Sequence, residues 1–395
     1  MNYTPRKEYR LADETIEMSE IDALRAWLAT NPWLTQRTLV PQFEETYAAW
    51  LGAKHACYVN SGSSANLLMY YAPLVAGKLK NRKVVVPAVS WATSVMPAMQ
   101  LGFEPLMCEA DEQTFGLDVG YLERLVKQHQ PSMVLLVHLL GTPCRMDEIL
   151  ALKYKYGFLL LEDACAAMGS RYAGRKVGTF GDFSTFSFYF GHHASTIEGG
   201  MICTNDAEMH EVLTMLRAHG WAKDISAERE AARAKEVGAM EFNRPFTFYY
   251  PGFNVRATDL QAKIGLEQLK KLDSVVARRA ENHSIYQKRF RGSKDFHIQS
   301  NPKAETSSIS FCALAKSPEH REKSASAMRA KGIETRPIGG GNMSRQPFWK
   351  AVYGAQDFPM ADRVHDTGMQ MPNHPILSPD DIDYICDVVL SVAAP

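Results

Sequence analysis

The sequence predicts an α/β protein with a mostly parallel sheet between helices and a smaller α+β lobe towards the C-terminus. Between about Asn60 and Asp206, short apolar runs alternate with helical stretches, as in a parallel sheet covered on both faces. The length of 395 residues exceeds one small core and suits a large unit plus a smaller one. Beyond about residue 308 a strand pattern is again followed by helical patterns.

The predicted strands of the large unit are short β-branched or apolar runs, and the last is expected to continue towards a pair of histidines. They are Val84–Val86, Val134–Val137, Phe158–Leu161 and Phe186–Phe190. The charged stretch Lys223–Lys235 is predicted to be a solvated helix or a mobile loop.

A helix is predicted to lead out of the large unit. Thr258 and Gln261 have the spacing of a capping box, and Leu260, Ile264 and Leu272 share one helix face. We therefore expect a large domain over residues 1–256 and a small domain over residues 257–395. The elements predicted in the small domain are a strand at Ser308–Ala313 and helices at Pro318–Lys331 and Asp380–Val392.

Composition argues for a metabolite as the partner. The 44 basic residues balance 44 acidic ones, so no charge excess favours nucleic acid or a membrane surface. No apolar run approaches the roughly 20 residues that span a bilayer, and the first residues lack the apolar core of a secretion signal. The seven cysteines are scattered and form no C-x-x-C pair. We expect a cytoplasmic protein with reduced core cysteines and no metal site.

A cluster of small polar residues, Asn60–Asn66, is followed at once by the apolar run LLMYYAPLV of a predicted helix. Backbone N–H groups and hydroxyls at a helix start form a phosphate cradle. A serine-rich helix cap without a ligand is the alternative.

Two further motifs place reactive side chains after predicted strands. Phe158–Asp163 ends in two carboxylates at the sheet edge where α/β proteins hold ligands. Asp163 there suits a protonated pyridine nitrogen, although it could equally cap a loop. In SFYFGHHASTIEGG, His192 has the chemistry to move a proton near neutral pH. A metal half-site or a polar turn would also explain the two histidines.

Together these motifs, with VPAVSWAT, HLLGTP, LRAHGW and PGFNVR, resemble the DegT/DnrJ/EryC1/StrS group of fold-type-I sugar aminotransferases and dehydratases over roughly residues 30–395. The resemblance implies pyridoxal phosphate, or its amine form pyridoxamine phosphate, as cofactor. It implies that Gly62, Ser63 and Ser64 bind the cofactor phosphate and that Asp163 faces the pyridine nitrogen.

The family lysine that bonds to the cofactor is replaced here by His192, and no lysine occurs between Lys176 and Lys223. Histidine cannot form that bond, so ordinary transamination is not expected. The same change marks the family branch that removes the C3 hydroxyl from nucleotide-linked 4-keto-6-deoxy sugars. The resemblance therefore implies a 3-dehydratase with glutamate as amino donor and GDP-4-keto-6-deoxymannose as the expected substrate.

The resemblance also assigns residues around the cofactor. Trp91 is expected to stack on its ring, Ser187 to touch its phosphate, and Asn254 to reach that phosphate from the partner subunit, which implies a homodimer with shared active sites. Arg256 is expected to hold a carboxylate of the amino donor. The remaining candidates for the substrate pocket are His219, Lys223, Arg336 and Asn342.

Two positions depart from the family pattern. Ala166 stands where a Gln or Glu normally contacts the cofactor's phenolic oxygen, and Lys223 stands where an arginine is expected. Three alternatives stay open. An iron–sulfur dehydratase with a reductase partner needs clustered late cysteines, and only Cys312 and Cys386 lie there. The others are an aminotransferase with a distant lysine and a non-catalytic regulator.

Overall fold

The computed structural model describes residues 3–394; Met1, Asn2 and Pro395, which the predicted domain ranges include, lie outside them. The α-helices are α1 Met18–Leu28, α2 Leu39–Leu51, α3 Gly62–Val75, α4 Ala92–Gln100, α5 Val119–His129, α6 Met146–Tyr156, α7 Ala207–Arg217, α8 Ala227–Glu236, α9 Asp259–Phe290, α10 Pro318–Ala330, α11 Pro347–Tyr353, α12 Pro359–Thr367 and α13 Pro379–Leu390. The strands are β1 His55–Val59, β2 Lys83–Pro87, β3 Glu104–Cys108, β4 Met133–Val137, β5 Leu159–Asp163, β6 Arg171–Tyr172, β7 Arg175–Lys176, β8 Phe183–Ser187, β9 Gly200–Thr204, β10 Phe296–Ile298, β11 Ala304–Glu305, β12 Ser310–Ala315 and β13 Gly368–Pro372.

The large sheet has seven strands in the order β1-β9-β8-β5-β4-β2-β3. Neighbours from β3 to β8 pair in parallel, whereas β9 runs antiparallel to both β8 and β1. β1 therefore points the same way as the parallel strands. The expected mostly parallel sheet between helices is confirmed.

Burial on both faces explains the apolar strand sequences. Every residue of Met133–Val137 is buried, and α3, α4 and α7 contribute to the core on one face. α5 and α6 pack on the other face. A strand covered on both faces needs no alternation of apolar and polar residues, which is why continuous runs predicted these strands.

The smaller lobe is built on the three-stranded antiparallel sheet β10-β12-β13 with helices α10 and α13. Near the N-terminus, Tyr9 pairs with Ile333 and is buried in this same core. α9 begins with the expected capping box of Thr258 and Gln261 and continues for 32 residues to Phe290. The proposed domain boundary after residue 256 lies just before it.

The predicted C-terminal end of the strand Phe186–Phe190 was wrong. β8 stops at Ser187, so the histidines follow a loop and not a strand. Phe188 packs in the core while Tyr189 and Phe190 are exposed, and the N–H of His192 donates to the carbonyl of Tyr189 to close a turn. Gly191 has φ +84°, which permits that turn.

The other predicted elements are present, with ends shifted by a few residues. Part of the charged stretch Lys223–Lys235 forms α8, in which Arg229 and Arg233 pair with Glu211 on α7. No helix in the described part of the chain is long and apolar enough to cross a membrane.

Candidate functional site

The carboxyl ends of β1, β2, β4, β5 and β8 meet at one edge of the large sheet, where ligands bind in α/β proteins. A cavity of about 530 Å³ opens there. Its walls come from the ends of these strands and the segments that follow them, and Ile309 and Gln370 of the smaller lobe also line it. Sheet topology thus explains why residues distant in sequence meet at one site.

The predicted phosphate cradle lies at the start of α3. Ser61 is its N-cap, with Oγ accepting the N–H of Ser64 at 3.1 Å. Gly62 and Ser63 line the cavity, and the first N–H groups of a helix favour an anion because they lack carbonyl partners within the helix. A Cβ on Gly62 would lie only 2.9 Å from Cβ of Ser187, so the close approach of these segments requires glycine.

Ser64 has a different place from its neighbours. Its hydroxyl donates to Oδ1 of Asn60 at 2.7 Å, and it does not line the cavity. In the structure Ser64 supports the helix cap, while Gly62 and Ser63 line the cavity.

Asp163 ends β5 and is buried at the base of the cavity. Its Oδ2 accepts hydrogen bonds from Asn66 Nδ2 at 2.9 Å and Ser94 Oγ at 2.7 Å, and its Oδ1 accepts the N–H of Cys165 at 3.1 Å. Thr185 Oγ1 donates to Asn66 Oδ1 at 2.6 Å, which turns the amide N–H₂ towards Asp163. Three donors therefore fix the orientation of this carboxylate.

The adjacent carboxylate, Glu162, has a structural role. Successive side chains of a strand point to opposite faces, and Glu162 accepts the N–H groups of Gly178 at 2.8 Å and Phe180 at 2.7 Å. It also accepts the N–H of Gly181 and contacts His138 Nε2 at 3.1 Å. Asp163 thus faces the cavity, while Glu162 holds the loop behind it.

Trp91 and Ser187, which were expected to stack on the cofactor ring and to touch its phosphate, both line the cavity. Trp91 is the N-cap residue of α4 and lines the cavity with 60% of its surface exposed. An indole so placed offers a flat apolar face to a ring. Ser187, the last residue of β8, is buried beside Gly62 and also lines the cavity.

His192 lines the cavity with a half-buried imidazole. Its Nδ1 is buried and has no hydrogen-bond partner among residues 3–394. Burial lowers the pKa of His192 to about 4, and the charges of Arg279 and Arg336 act in the same direction. The imidazole is therefore neutral at pH 7 and able to accept a proton.

His193 points away from the cavity. It is fully buried, and its Nε2 lies 3.0 Å from both the carbonyl oxygen and the hydroxyl of Ser307. Burial also lowers the pKa of this histidine. His193 anchors the loop, whereas His192 is the histidine available for chemistry.

Of the predicted pocket residues in the C-terminal part, Arg336 lines the cavity and Asn342 does not. Arg336 Nε donates to Gln370 Oε1 at 3.3 Å. Asn342 is buried, and its side chain donates to Asp362 and accepts from the N–H and hydroxyl of Ser344. These bonds occupy its amide, so in this chain Asn342 supports a turn.

Four predicted site residues gather outside the cavity. His219 and Lys223 both lie near Trp221, with the His219 ring centroid 5.4 Å and Lys223 Nζ 5.1 Å from the Trp221 ring centroid. Asn254 pairs with Ala218. Arg256 pairs with Val59 at the end of β1. Asn254 and Lys223 are exposed, and none of the four lines the cavity of its own chain.

Sequence reasoning missed the residues that hold Asp163. Asn66 and Ser94 lie inside stretches already singled out, but their roles depend on side-chain contacts across the sheet edge. Ala166 lines the cavity, so this departure from the family pattern falls within the site. The described residues contain no group of three or more side chains suited to a metal ion.

The sequence matches the profile of the DegT/DnrJ/EryC1/StrS aminotransferase family over residues 14–390. The chain belongs to this family. It is 34% identical over 379 residues to the GDP-4-keto-6-deoxy-D-mannose 3-dehydratase of Yersinia pseudotuberculosis, which covers 93% of this chain and 94% of the relative.

Solved structures of this family give the same picture. A GDP-4-keto-6-deoxymannose-3-dehydratase with a trapped PLP-glutamate geminal diamine superposes with a TM-score of 0.87 at 31% identity, covering 97% of this chain and 100% of that one. A histidine-to-asparagine variant of such an enzyme with bound GDP-perosamine gives a TM-score of 0.88 at 31% identity with the same coverage. The expected fold of the pyridoxal-phosphate aminotransferases is confirmed.

Proposed function

We propose that this DegT-family protein is a pyridoxal- or pyridoxamine-phosphate-dependent 3-dehydratase that uses glutamate as amino donor. Its proposed substrate is a nucleotide-linked 4-keto-6-deoxy sugar, GDP-4-keto-6-deoxymannose. The observation that carries the proposal is His192, a neutral histidine with an unpartnered ring nitrogen in a cavity whose lining includes no lysine among residues 3–394. The relatives named above act on, or were solved with, ligands of these classes.

The cavity fits the proposed cofactor. Gly62 and Ser63 at the start of α3, together with Ser187, would hold its phosphate. Asp163 would face the pyridine nitrogen, and the exposed indole of Trp91 would cover the ring. When bound, the cofactor supplies an electron sink that stabilises negative charge next to its ring. Asp163 would maintain the positive charge on the ring nitrogen.

His192 would move the proton. Its neutral imidazole would accept a proton from the reacting carbon and deliver one to the departing C3 hydroxyl. Because histidine forms no covalent bond to the cofactor, the site would not be returned to a lysine-bound state after each turnover. Aminotransferase chemistry, the main alternative, needs such a lysine. Cavity walls without one therefore favour dehydration.

We also propose a homodimer with shared active sites. The proposed ligands carry a phosphate, a diphosphate and two carboxylates, but Arg336 is the only lysine or arginine among the described residues that line the cavity. Lys223, Arg256, His219 and Asn254 lie outside the cavity of their own chain. We assign Arg256 and Lys223 to the amino-donor carboxylates, and Asn254 to the cofactor phosphate, in the partner's site.

A cytoplasmic location is proposed on the cysteines. All seven are free, and six of them are buried. Unpaired cysteines in this number are typical of a reducing compartment. The substrate class, a nucleotide-linked sugar, agrees with this location.

The experiment that tests the function is an absorbance spectrum of the pyridoxal-phosphate-loaded protein before and after glutamate. The wild type should convert to the amine form and resist fixation by borohydride. His192→Lys should become fixed by borohydride and lose dehydration of GDP-4-keto-6-deoxymannose, whereas His192→Asn should lose dehydration without becoming fixed. Wild-type cofactor already fixed to a lysine would identify an aminotransferase. Indifference to both cofactor and glutamate would leave a non-catalytic protein.

A further inference from the structure

Arg279 lies in the middle of α9, fully buried behind the cavity. Its guanidinium forms no ion pair within residues 3–394, although the preceding residue, Arg278, pairs with Glu281 at the surface. Burial lowers the pKa of Arg279 to about 9, which still leaves it charged at pH 7. A buried charge without a counter-ion is costly in free energy, so other polar groups are expected to surround it.

Four main-chain carbonyls surround this guanidinium. Nη1 donates to Ile309 at 2.9 Å and to Asn373 at 2.7 Å. Nη2 donates to Gly191 at 3.1 Å and to His192 at 3.2 Å. Ile309 precedes β12 and Asn373 follows β13, so one side chain joins the His192 loop to the ends of two strands of the smaller lobe's sheet.

A second contact fixes Arg279 itself. The side-chain nitrogen Nδ2 of Asn373 donates to the main-chain carbonyl of Arg279 at 3.1 Å and to Ser308 Oγ at 2.7 Å. The planar guanidinium presents its donors in a rigid fork, which allows it to hold the separate carbonyls at once. The compact ammonium of a lysine lacks this geometry.

We propose that Arg279 is a positioning residue that holds the main chain of His192 against the smaller lobe and so sets where its imidazole lies in the cavity. This inference rests on the proposed function of His192. The loop is otherwise held near this point by the turn from the His192 N–H to Tyr189 and by the His193 contact with Ser307. Neither of these bonds reaches Ile309 or Asn373, the residues that flank β12 and β13.

Arg279 also acts on His192 through its charge. It disfavours the imidazolium, in addition to burial. The other titratable or charged groups that face His192 are Asp163, Arg336, His193 and Tyr189. Removing the charge of Arg279 should therefore make His192 easier to protonate, while the opposing carboxylate of Asp163 stays in place.

The test compares Arg279→Lys, Arg279→Met and the control Arg278→Lys in the pyridoxal-phosphate-loaded protein. Arg279→Lys keeps the charge and loses the fork, so kcat for dehydration should fall about 10- to 100-fold with KM nearly unchanged, as for a small misplacement of a catalytic group. Arg278→Lys should match the wild type. A purely structural role for Arg279 would lower the folded fraction but leave kcat, measured per folded molecule, at the wild-type value.

A second readout does not depend on turnover. The imidazole of His192, labelled with ¹³C and assigned by its loss in His192→Asn, is titrated by NMR. In Arg279→Met its titration should move to higher pH, and in Arg279→Lys its chemical shift should change at high pH. Folded variants with wild-type kcat and a wild-type His192 titration would overturn the proposal. If Arg279→Met does not fold, the lysine variant decides. If the wild type dehydrates no nucleotide sugar, the proposed function fails, and the titration still decides on Arg279.

Discussion

The segment from Asp163 to His192 and the segment from His219 to Arg256 both contain predicted site residues, but the structure places them in opposite environments. In the first segment, Asp163, Ser187 and His192 line one cavity and are held by bonds within the chain. The predicted residues of the second segment lie outside this cavity. Large aromatic side chains are exposed around them, with Phe242 at 92% and Phe246 at 69%.

This difference separates two groups of residues by their proposed roles. Groups that hold the proposed cofactor ring and move a proton need fixed geometry, which a single chain provides at its sheet edge. The groups proposed to bind the outer charges of the ligands are on a surface with exposed aromatic residues, and such surfaces are typical of interfaces. In the proposed dimer, each chain thus supplies the chemistry of its own site and the anion-binding groups of its partner's site.

The largest expected effect concerns the segment from Asp163 to His192. Asp163→Asn removes the negative charge at the proposed ring nitrogen and should lower dehydration turnover by about 10³-fold or more. The amide would also turn an N–H₂ group towards donors that Asp163 now accepts, from Asn66, Ser94 or the N–H of Cys165, which should destabilise the fold by about 1–3 kcal/mol. Steady-state kinetics and denaturant unfolding measure the two effects.

The control for this change is Asp147→Asn, because Asp147 is an exposed carboxylate paired with Lys303. It should leave turnover unchanged and stability within about 1 kcal/mol of the wild type. Near-normal turnover in Asp163→Asn would contradict the cofactor assignment itself.

The next largest effect concerns the segment from His219 to Arg256. It is tested by mixing two variants that are each expected to be inactive alone. Arg256→Ala and His192→Asn are unfolded together and refolded as a mixture. If sites are shared, each mixed dimer contains one site with both native residues, and about a quarter of wild-type activity should return for random pairing. Activity that stays near zero, with mixed dimers shown by mass spectrometry, would place Arg256 and His192 in the same chain's site. Normal activity of Arg256→Ala alone would exclude Arg256 from the site.

Strand positions could be predicted from the sequence because burial on both faces leaves an uninterrupted apolar run, as in Met133–Val137. The location of a site at the strand ends followed from the same topology. The overestimated end of β8 had the opposite cause. Phe188, Tyr189 and Phe190 are all aromatic, but only Phe188 turns into the core.

Contacts between distant segments limited what the sequence could predict. Glu162 and Asp163 are equivalent as a motif, and so are His192 and His193, but partners elsewhere in the chain decide which one is structural. Glu162 meets N–H groups of the loop before β8, and His193 meets Ser307. Arg279 lies seven residues after Leu272 and seven before Tyr286 on the buried face of α9, but arginine is rarely fully buried, so its burial was not predicted.

The smallest expected effect is on the free energy of unfolding and concerns His283 on α9. His283 is buried, with Gln287 donating to its Nε2 at 3.2 Å, so Nδ1 carries the proton donated to Ser308 Oγ at 2.8 Å. Burial lowers the pKa of His283 to about 3. The unfolded chain binds a proton on this histidine below about pH 6.5, whereas the folded chain does not. Stability from this group is therefore present above pH 6.5 and is lost as the pH falls towards 3.

Urea unfolding at pH 7, 6 and 5 measures this loss. The free energy of unfolding of the wild type should fall with pH, and His283→Gln should reduce the slope below pH 6 by at most about 1.4 kcal/mol per pH unit. Gln at this position retains a donor for Ser308, so the variant should remain folded at pH 7. Equal slopes for the two proteins would mean that His283 is protonated in the folded state, and the hydrogen bond from Gln287 would then have to be absent.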